Sequence, residues 1–209
     1  LGMNRRFMDT VALYIHGQGG NAEEAKHYIP LFENCDVVGL DYQSTTPWEA
    51  ETEFPKLLDA ACEPDQSIKL IASSLGAYFA MHALSGRKIE EAFFISPVVN
   101  MPKLIGNMMR LANVSEKELR EAGTIKIFSG QILSWEYLFY ARNRQINWRI
   151  PTHILYGEKD HLTSAGEISE FAEQIGATLT LMENGEHWFH TEDQMAFLDQ
   201  WIMNSKKKP

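Results

Sequence analysis

Six short apolar segments of β-strand character recur along the chain, and helical stretches separate most of them. Ser164 with Glu167, and Thr191 with Gln194, fit capping boxes at the starts of two helical stretches. The apolar residues of the six segments are nearly continuous, which is typical of parallel strands covered on both faces. The alternation therefore predicts an α/β fold with a doubly wound, mostly parallel sheet of about six strands. The segments are VALYIHG, CDVVGLD, SIKLIAS, EAFFIS, THILYGE and ATLTLME.

The interval between the fourth and fifth segments is too long for one crossover helix. It runs from residue 97 to residue 151, a stretch of 55 residues, and contains two or three helical patterns. A crossover between parallel strands needs only about a dozen residues. We therefore expect a single domain over residues 1–209, with a helical cap inserted at about residues 98–148.

Charge and composition exclude several classes of protein. The 19 Lys and Arg residues against 28 Asp and Glu residues give a net charge of -9, the wrong sign for a nucleic-acid binder. The apolar runs are far shorter than the roughly 18 residues of a membrane-spanning helix, and no long apolar segment follows NRRFMDT as in a signal peptide. Cys35 and Cys62 form no CxxC pair, and no histidine stands at metal-ligand spacing. We expect a cytoplasmic protein without membrane insertion, disulfide or metal site.

Two adjacent serines lie where the third apolar segment meets a helical stretch, in KLIASSLGAYF. Ser74 has the small residues Ala72 and Gly76 two positions before and after it. This spacing is typical of a nucleophile elbow, because the backbones flanking the nucleophile crowd together in a sharp strand-to-helix turn. Ser73 would instead have bulky residues at both positions. The alternative is that the serine only caps the following helix.

The glycine-rich loop HGQGGN follows the first apolar segment, ahead of the two serines. In a hydrolase, a loop at this place supplies backbone N–H groups that face the nucleophile. We expect the N–H groups of Leu75 and Gln18 to form an oxyanion hole. The alternative, a phosphate-binding loop, lacks the lysine and the glycine spacing of the known motifs. His16 is interpreted as structural.

A serine nucleophile needs a histidine base and an acid that orients the base. Asp160 follows the fifth apolar segment in ILYGEKDH, with Glu158 and His161 as rivals. The carboxyl ends of parallel strands are where sites of open α/β sheets lie. After the last segment, ENGEHWFH offers His187 in a short loop and His190 next to the helix cap. Each of these residues could also be an ordinary surface residue.

Four motifs, HGQGG, ASSLG, YGEKD and GEHW, occur in this order and at strand ends. With them, nearly the whole chain resembles the α/β-hydrolase superfamily, and within it the small serine esterases and esterase-like proteins related to YqiA or dienelactone hydrolase. The resemblance implies Ser74 as nucleophile, His187 as base and Asp160 as orienting acid. Dienelactone hydrolases carry cysteine where this chain has Ser74, so a serine esterase is the closer expectation.

The function expected from these residues is hydrolysis of a small carboxylic ester through an acyl-enzyme intermediate. The partner would be a small-molecule ester or related acyl compound, and no metal or organic cofactor is needed. The same groups hydrolyse thioesters, amides and peptides, so a thioesterase or a peptidase is an alternative. A further alternative is a non-catalytic binding protein on a hydrolase fold.

The long insert contains QILSWEYLFYARN, residues 131–143, whose apolar residues would surround a helix on all sides. Such a helix is normally buried on more than one side. We expect one side to pack on the domain and Trp135, Tyr137, Phe139 and Tyr140 to enclose an apolar acyl pocket. The alternatives are that these residues belong to the core or to the contact of a homodimer.

Overall fold

Strands and helices alternate along the chain in the computed structural model, which describes residues 8–206. Most of the NRRFMDT segment, on which the expected cytoplasmic location partly rests, lies outside these residues. The strands are β1 (Thr10–Ile15), β2 (Asp36–Gly39), β3 (Ser67–Ser73), β4 (Glu91–Ile95), β5 (Thr124–Lys126), β6 (Ile132–Ser134), β7 (Thr152–Gly157) and β8 (Thr178–Met182). The helices are a 3-10 helix (Ala22–Leu31), α1 (Pro47–Ala61), α2 (Leu75–Ala83), α3 (Met101–Leu111), α4 (Glu116–Ala122), α5 (Trp135–Asn143), α6 (Ala165–Ile175) and α7 (Glu192–Ser205).

The six predicted strands form one parallel sheet, in the order β2-β1-β3-β4-β7-β8. Every residue of β1 after Thr10 is buried, as is every residue of β4 after Glu91. Strands of this kind need cover on both faces, which explains why their apolar residues are continuous. The predicted doubly wound, parallel α/β sheet is confirmed.

Helices cover both faces of the sheet. Phe93 and Phe94 are adjacent in β4, so their side chains point to opposite faces, and neither is exposed to solvent. On the face of Phe93, Trp201 of α7 contacts its ring edge-on at a centroid distance of 6.0 Å. The core cluster around Phe93 contains residues of the 3-10 helix and α7 but none of α1 or α2. α1 and α2 instead pack against each other, with the rings of Phe54 and Phe79 6.2 Å apart. The hydrophobic core therefore has two layers, separated by the sheet.

The direction in which strands are added reverses at β1. β1 lies between β2 and β3, and the later strands of this sheet, β4, β7 and β8, are added beyond β3. Ile15 at the end of β1 pairs with Ala72 in β3, and Ser73 pairs with Ile95 at the end of β4. The segments that follow these three strands therefore leave the same edge of the sheet side by side. Open α/β sheets bind their ligands at such a reversal point.

The described chain forms two compact units. The first contains the residues up to Val98 and from Asn147 onward, with the six-stranded sheet. The second is Val99–Ile146, within the interval where we expected a cap. It contains the helices α3, α4 and α5 and an antiparallel hairpin of β5 and β6, which the sequence pattern did not predict.

The second unit has a small core of its own. Leu119, Leu133 and Leu138 are almost completely buried and come from α4, β6 and α5. The prediction of a continuous helix over residues 131–143 is wrong, because Ile132–Ser134 pairs with β5 as a strand. The helix begins only at Trp135, since the Ser134 side chain accepts a hydrogen bond from the backbone N–H of Tyr137, three residues further on.

Candidate active site

The turn between β3 and α2 contains a strained residue. Ser74 has φ 50° and ψ −117°, a conformation that a residue with a Cβ rarely adopts and that clusters at functional sites. Its backbone is held on both sides: its N–H donates to Ile95 O at 2.9 Å, and its carbonyl accepts from Val98 N at 3.2 Å. Ser73 is the last residue of the regular strand. The sharp turn is therefore centred on Ser74.

Three side chains form a continuous hydrogen-bonded chain at this edge of the sheet. Ser74 Oγ lies 2.8 Å from His187 Nε2, and His187 Nδ1 lies 2.7 Å from Asp160 Oδ2. The Asp160 side chain is only 1% exposed, and its second oxygen accepts from Leu162 N at 2.9 Å. A carboxylate only accepts hydrogen bonds, so His187 Nδ1 carries the proton and Nε2 accepts from the serine hydroxyl.

The alternative acid and base residues are exposed and lie outside this hydrogen-bonded chain. Glu158 is exposed and accepts a hydrogen bond from Asn184 N at 2.8 Å. His161 is exposed. His190 is also exposed, and its Nδ1 donates to Trp188 O at 2.7 Å while its ring stacks on the Trp188 ring. The hydrogen-bonded chain thus brings together the three residues that the resemblance implied, and these rivals lie outside it.

The loop after β1 approaches the strained serine closely. A Cβ added to Gly17 would lie 3.2 Å from Ser74 Cβ. The Gly17 carbonyl accepts from Gly20 N at 3.1 Å and from His16 Nδ1 at 2.7 Å. The carbonyl and the N–H of a trans peptide point in opposite directions, so these two bonds also fix the direction of the Gln18 N–H.

The second expected donor is the N–H of Leu75, the first residue of α2. The first N–H groups of a helix have no acceptor within the helix, and the dipole of the helix places partial positive charge at this end. Both features suit a backbone donor directed at a negatively charged oxygen atom. Gln18 and Leu75 therefore stand on segments that flank Ser74.

His16 is held firmly in the described structure. It is 9% exposed, and its ring stacks on the Tyr42 ring at a centroid distance of 4.3 Å. The Tyr42 hydroxyl donates to His16 O at 2.7 Å. Burial, and after it the charges of Glu24 and Glu53, raises the pKa of Tyr42 well above its ordinary value. The phenol therefore stays protonated and remains a donor, which supports a structural role for His16.

Gly76 allows the start of α2 to lie against the end of β1. A Cβ at this position would be 2.2 Å from the backbone oxygen of His16 and 2.9 Å from that of Ile15. We predict that Gly76→Ala destabilises the protein by about 2 kcal/mol or more, because backbone must move to admit the methyl group. Urea denaturation would measure the change. Gly86→Ala, where no atom beyond the adjacent residues lies within 4 Å of the added Cβ, is the control, and equal effects of the two substitutions would refute the prediction.

The four aromatic residues expected to bind substrate lie on α5 of the second unit. Leu138 and Ala141 form the buried side of this helix. Trp135, Tyr137 and Tyr140 are half-buried, whereas Phe139 is 58% exposed. The Arg120 guanidinium lies over the Trp135 ring at 5.2 Å, and that of Arg144 lies over the Tyr140 ring at 5.3 Å. We expected this helix to be buried on more than one side. That expectation is wrong at Phe139, whose side chain is exposed.

Ser96, which follows β4, was not among the residues expected at the site. It is 1% exposed, has φ 48°, and donates a hydrogen bond from its hydroxyl to the backbone oxygen of His187 at 2.7 Å. A serine between an apolar strand and a proline matches no catalytic motif. Two features mark Ser96, its positive φ and its hydrogen bond to a residue distant in sequence. Both exist only in the folded chain.

The described residues contain neither a cluster of metal-binding side chains nor a helix that could cross a membrane. Within residues 8–206, no group of three or more His, Cys, Asp and Glu side chains is arranged to hold a metal ion. Over the same range, none of the helices combines the length and the apolar character needed to span a membrane.

Comparison of the structure with known proteins identifies its fold. No model of a known protein family matches the sequence, and no curated protein matches it. Among solved structures, the chain is similar to Est1E from Butyrivibrio proteoclasticus, with a TM-score of 0.75, 17% identity and coverage of 97% of this chain and 89% of that one.

Two further structures are similar along nearly their whole length. Alpha/beta hydrolase domain-containing protein 10 from mouse has a TM-score of 0.73 at 17% identity, covering 94% of this chain and 89% of that one. The thioesterase domain from the curacin biosynthetic pathway has a TM-score of 0.60 at 18% identity, covering 93% and 91%. These similarities and the parallel sheet agree, and the chain has the α/β-hydrolase fold.

Proposed function

We propose that the protein is a serine hydrolase that cleaves a small carboxylic ester through an acyl-enzyme intermediate. The observation that carries the proposal is the hydrogen-bonded chain from Ser74 through His187 to the buried Asp160. In this arrangement the Ser74 hydroxyl faces an imidazole nitrogen of His187 that can accept its proton, and the Asp160 carboxylate fixes the imidazole tautomer. A serine hydroxyl alone is a weak nucleophile, and this arrangement activates it.

In the proposed reaction, Ser74 Oγ forms a bond to the ester carbonyl carbon while its proton passes to His187 Nε2. The carbonyl oxygen becomes an oxyanion, which the N–H groups of Gln18 and Leu75 stabilise. The bond to the alcohol oxygen then breaks, and His187 returns the proton to the departing alcohol. Asp160 stabilises the imidazolium and keeps it oriented.

Water completes the proposed cycle. His187 takes a proton from a water molecule, and the resulting hydroxide attacks the acyl carbon bound to Ser74. The bond between the acyl group and Ser74 Oγ breaks, and the serine regains its proton from His187 as the carboxylic acid leaves. Every proton in this cycle moves between Ser74, His187, water and substrate, so no cofactor is needed.

Hydrolysis of p-nitrophenyl acetate and butyrate by the wild-type protein and by His187→Ala tests this proposal. We expect measurable turnover for the wild type and a loss of about 10⁶-fold in kcat for the variant, as for removal of the base in other serine hydrolases. A thioester and a peptide in the same panel would reveal a thioesterase or a peptidase. Equal and low rates for the two proteins on all of these substrates would favour a non-catalytic binding protein.

We further propose that aromatic residues of α5, namely Trp135, Tyr137, Phe139 and Tyr140, bound an apolar acyl pocket of limited depth. The partial or high exposure of these large apolar side chains supports the proposal, since exposed apolar surface commonly marks a binding site. Short, uncharged acyl groups would then be preferred.

A series of p-nitrophenyl esters from acetyl to dodecanoyl tests the pocket. Each buried methylene adds about 0.8 kcal/mol until the pocket is full, so kcat/KM should rise over the first few carbons and then fall. Trp135→Ala should shift this optimum. Leu111→Ala, at a residue of the same unit that is 84% exposed, is the control. A profile independent of chain length, or one that Trp135→Ala leaves unchanged, would mean that α5 does not shape the site.

A further inference from the structure

The last residue of β4 and the three residues after it contact both the nucleophile and the base of the proposed site. Ile95 accepts a hydrogen bond from Ser74 N, and Val98 donates one to Ser74 O. Between these two residues, the Ser96 hydroxyl donates to the backbone oxygen of His187 at 2.7 Å. One stretch of four residues therefore holds the backbones of Ser74 and His187 relative to each other.

Ser96 adopts an unfavourable conformation at this point. Its φ of 48° lies in the left-handed region, where a side chain with a Cβ is strained. It also precedes Pro97, and a proline pushes the preceding residue towards extended conformations. Ser96 N donates to Leu155 O at 2.8 Å, which ties the strained residue to the neighbouring strand. Strain of this kind persists only where the surrounding structure imposes it, and it clusters at functional sites.

The rest of the base-bearing loop is held by other contacts. Glu158 accepts from Asn184 N at 2.8 Å, Lys159 N donates to Gly185 O at 2.8 Å, and the Gln194 amide donates to Glu186 at 2.7 Å. These bonds hold the residues that precede the base. The bond from Ser96 is made to the backbone of His187 itself, so its loss would loosen the backbone of the base without releasing the whole loop.

We propose that Ser96 is a positioning residue that fixes the backbone of His187, and through it the imidazole ring, relative to Ser74. This inference rests on the proposed function. The Ser96 hydroxyl acts on the carbonyl of His187 and forms no bond to substrate in the proposed reaction. Its loss therefore lowers kcat and leaves KM nearly unchanged. A displacement of about 1 Å in a catalytic group can cost about 100-fold in rate.

The test compares Ser96→Ala with Ser96→Gly on a p-nitrophenyl ester. Both variants lack the hydroxyl, but only glycine relieves the strain of the positive φ, so the glycine variant should be the more stable in thermal denaturation. We expect both to lose about 10- to 100-fold in kcat with KM within about twofold of wild type. In both, the low-field proton NMR signal of His187 Nδ1–H should broaden or disappear.

Thr152→Ala is the matched control. Thr152 is also buried, and its hydroxyl donates to Ile150 O at 2.7 Å, but it starts β7 and so lies at the opposite edge of the sheet. This variant should lose stability and keep the kcat and the NMR signal of wild type. If either Ser96 variant keeps a kcat within about twofold of wild type while folded, the positioning role is wrong, and Ser96 is only structural.

The same experiment separates this inference from the proposed function. A wild-type protein that hydrolyses the ester in a Ser74-dependent manner, together with fully active Ser96 variants, overturns the role of Ser96 alone. A folded wild-type protein without Ser74-dependent hydrolysis overturns both. Low kcat in both Ser96 variants, with normal kcat in Thr152→Ala, supports both.

Discussion

Replacing Ser74 with alanine is expected to lower kcat by about 10⁶-fold, the loss found when the nucleophile of a serine hydrolase is removed. The reason is chemical, because alanine has no oxygen that could form the acyl-enzyme bond. The fold should be kept, because the substitution removes only the hydroxyl, which bonds to His187 within the site. The backbone bonds from Ser74 to Ile95 and Val98, which hold the strained turn, remain. Steady-state hydrolysis of a p-nitrophenyl ester measures the loss, and circular dichroism measures folding.

Ser73→Ala is the control for this prediction. Ser73 is the neighbouring serine, at the end of β3, and its removal should leave most of the activity. If both folded variants lost activity equally, the assignment of the nucleophile would have no support. Loss in Ser73→Ala alone would show that the neighbouring serine is the nucleophile.

Replacing Asp160 with asparagine is expected to lower kcat by about 10⁴-fold without unfolding the protein. The oxygen of the asparagine amide can still accept the hydrogen bond from Leu162 N, which leaves the NH₂ group towards His187. That group donates, so the imidazole must accept at Nδ1 and carry its proton at Nε2. In this tautomer His187 cannot take the proton of Ser74.

Glu158→Gln is the matched control for the acid. Glu158 lies in the same loop but accepts a hydrogen bond from Asn184 N, and glutamine keeps an oxygen for this bond. We expect an effect on kcat below about threefold. If Glu158→Gln lost about 10⁴-fold and Asp160→Asn were mild, Glu158 would be the acid.

The sheet could be predicted from the sequence because its four inner strands, β1, β3, β4 and β7, are largely buried on both faces. Burial on both faces leaves continuous apolar runs such as those of β1 and β4. The hairpin in the second unit could not be predicted in this way. Its strands β5 and β6 have three residues each and are only partly buried, so no run of apolar residues marks them.

Helix starts were predicted with partial success. Ser164 and Glu167 form the expected capping box at α6. At α7, Thr191 accepts from Gln194 N as expected, but the Gln194 side chain donates to Glu186 instead of returning to the cap. The Glu186 carboxylate accepts a charge-assisted hydrogen bond from the NH₂ group of Gln194 and so orients this side chain, and only folding brings the loop that carries Glu186 near.

The candidate site could be predicted where its residues carry local motifs. The small residues around Ser74 mark the turn in the sequence itself, whereas Asp160 and His187 were chosen by their places after strands. Ser96 could not be found in this way. Its hydroxyl contacts a residue 91 positions away, and such a pairing leaves no local pattern.

The most direct test of the proposed function is labelling with a fluorophosphonate, read by intact-protein mass spectrometry and peptide mapping. The probe reacts with a serine only when a base and an oxyanion hole activate it. We predict that folded wild-type protein gains one label, that the label is on Ser74, and that Ser74→Ala and His187→Ala gain none. Folded wild-type protein that stays unlabelled, or that carries the label on Ser73, would contradict the proposed function or its nucleophile.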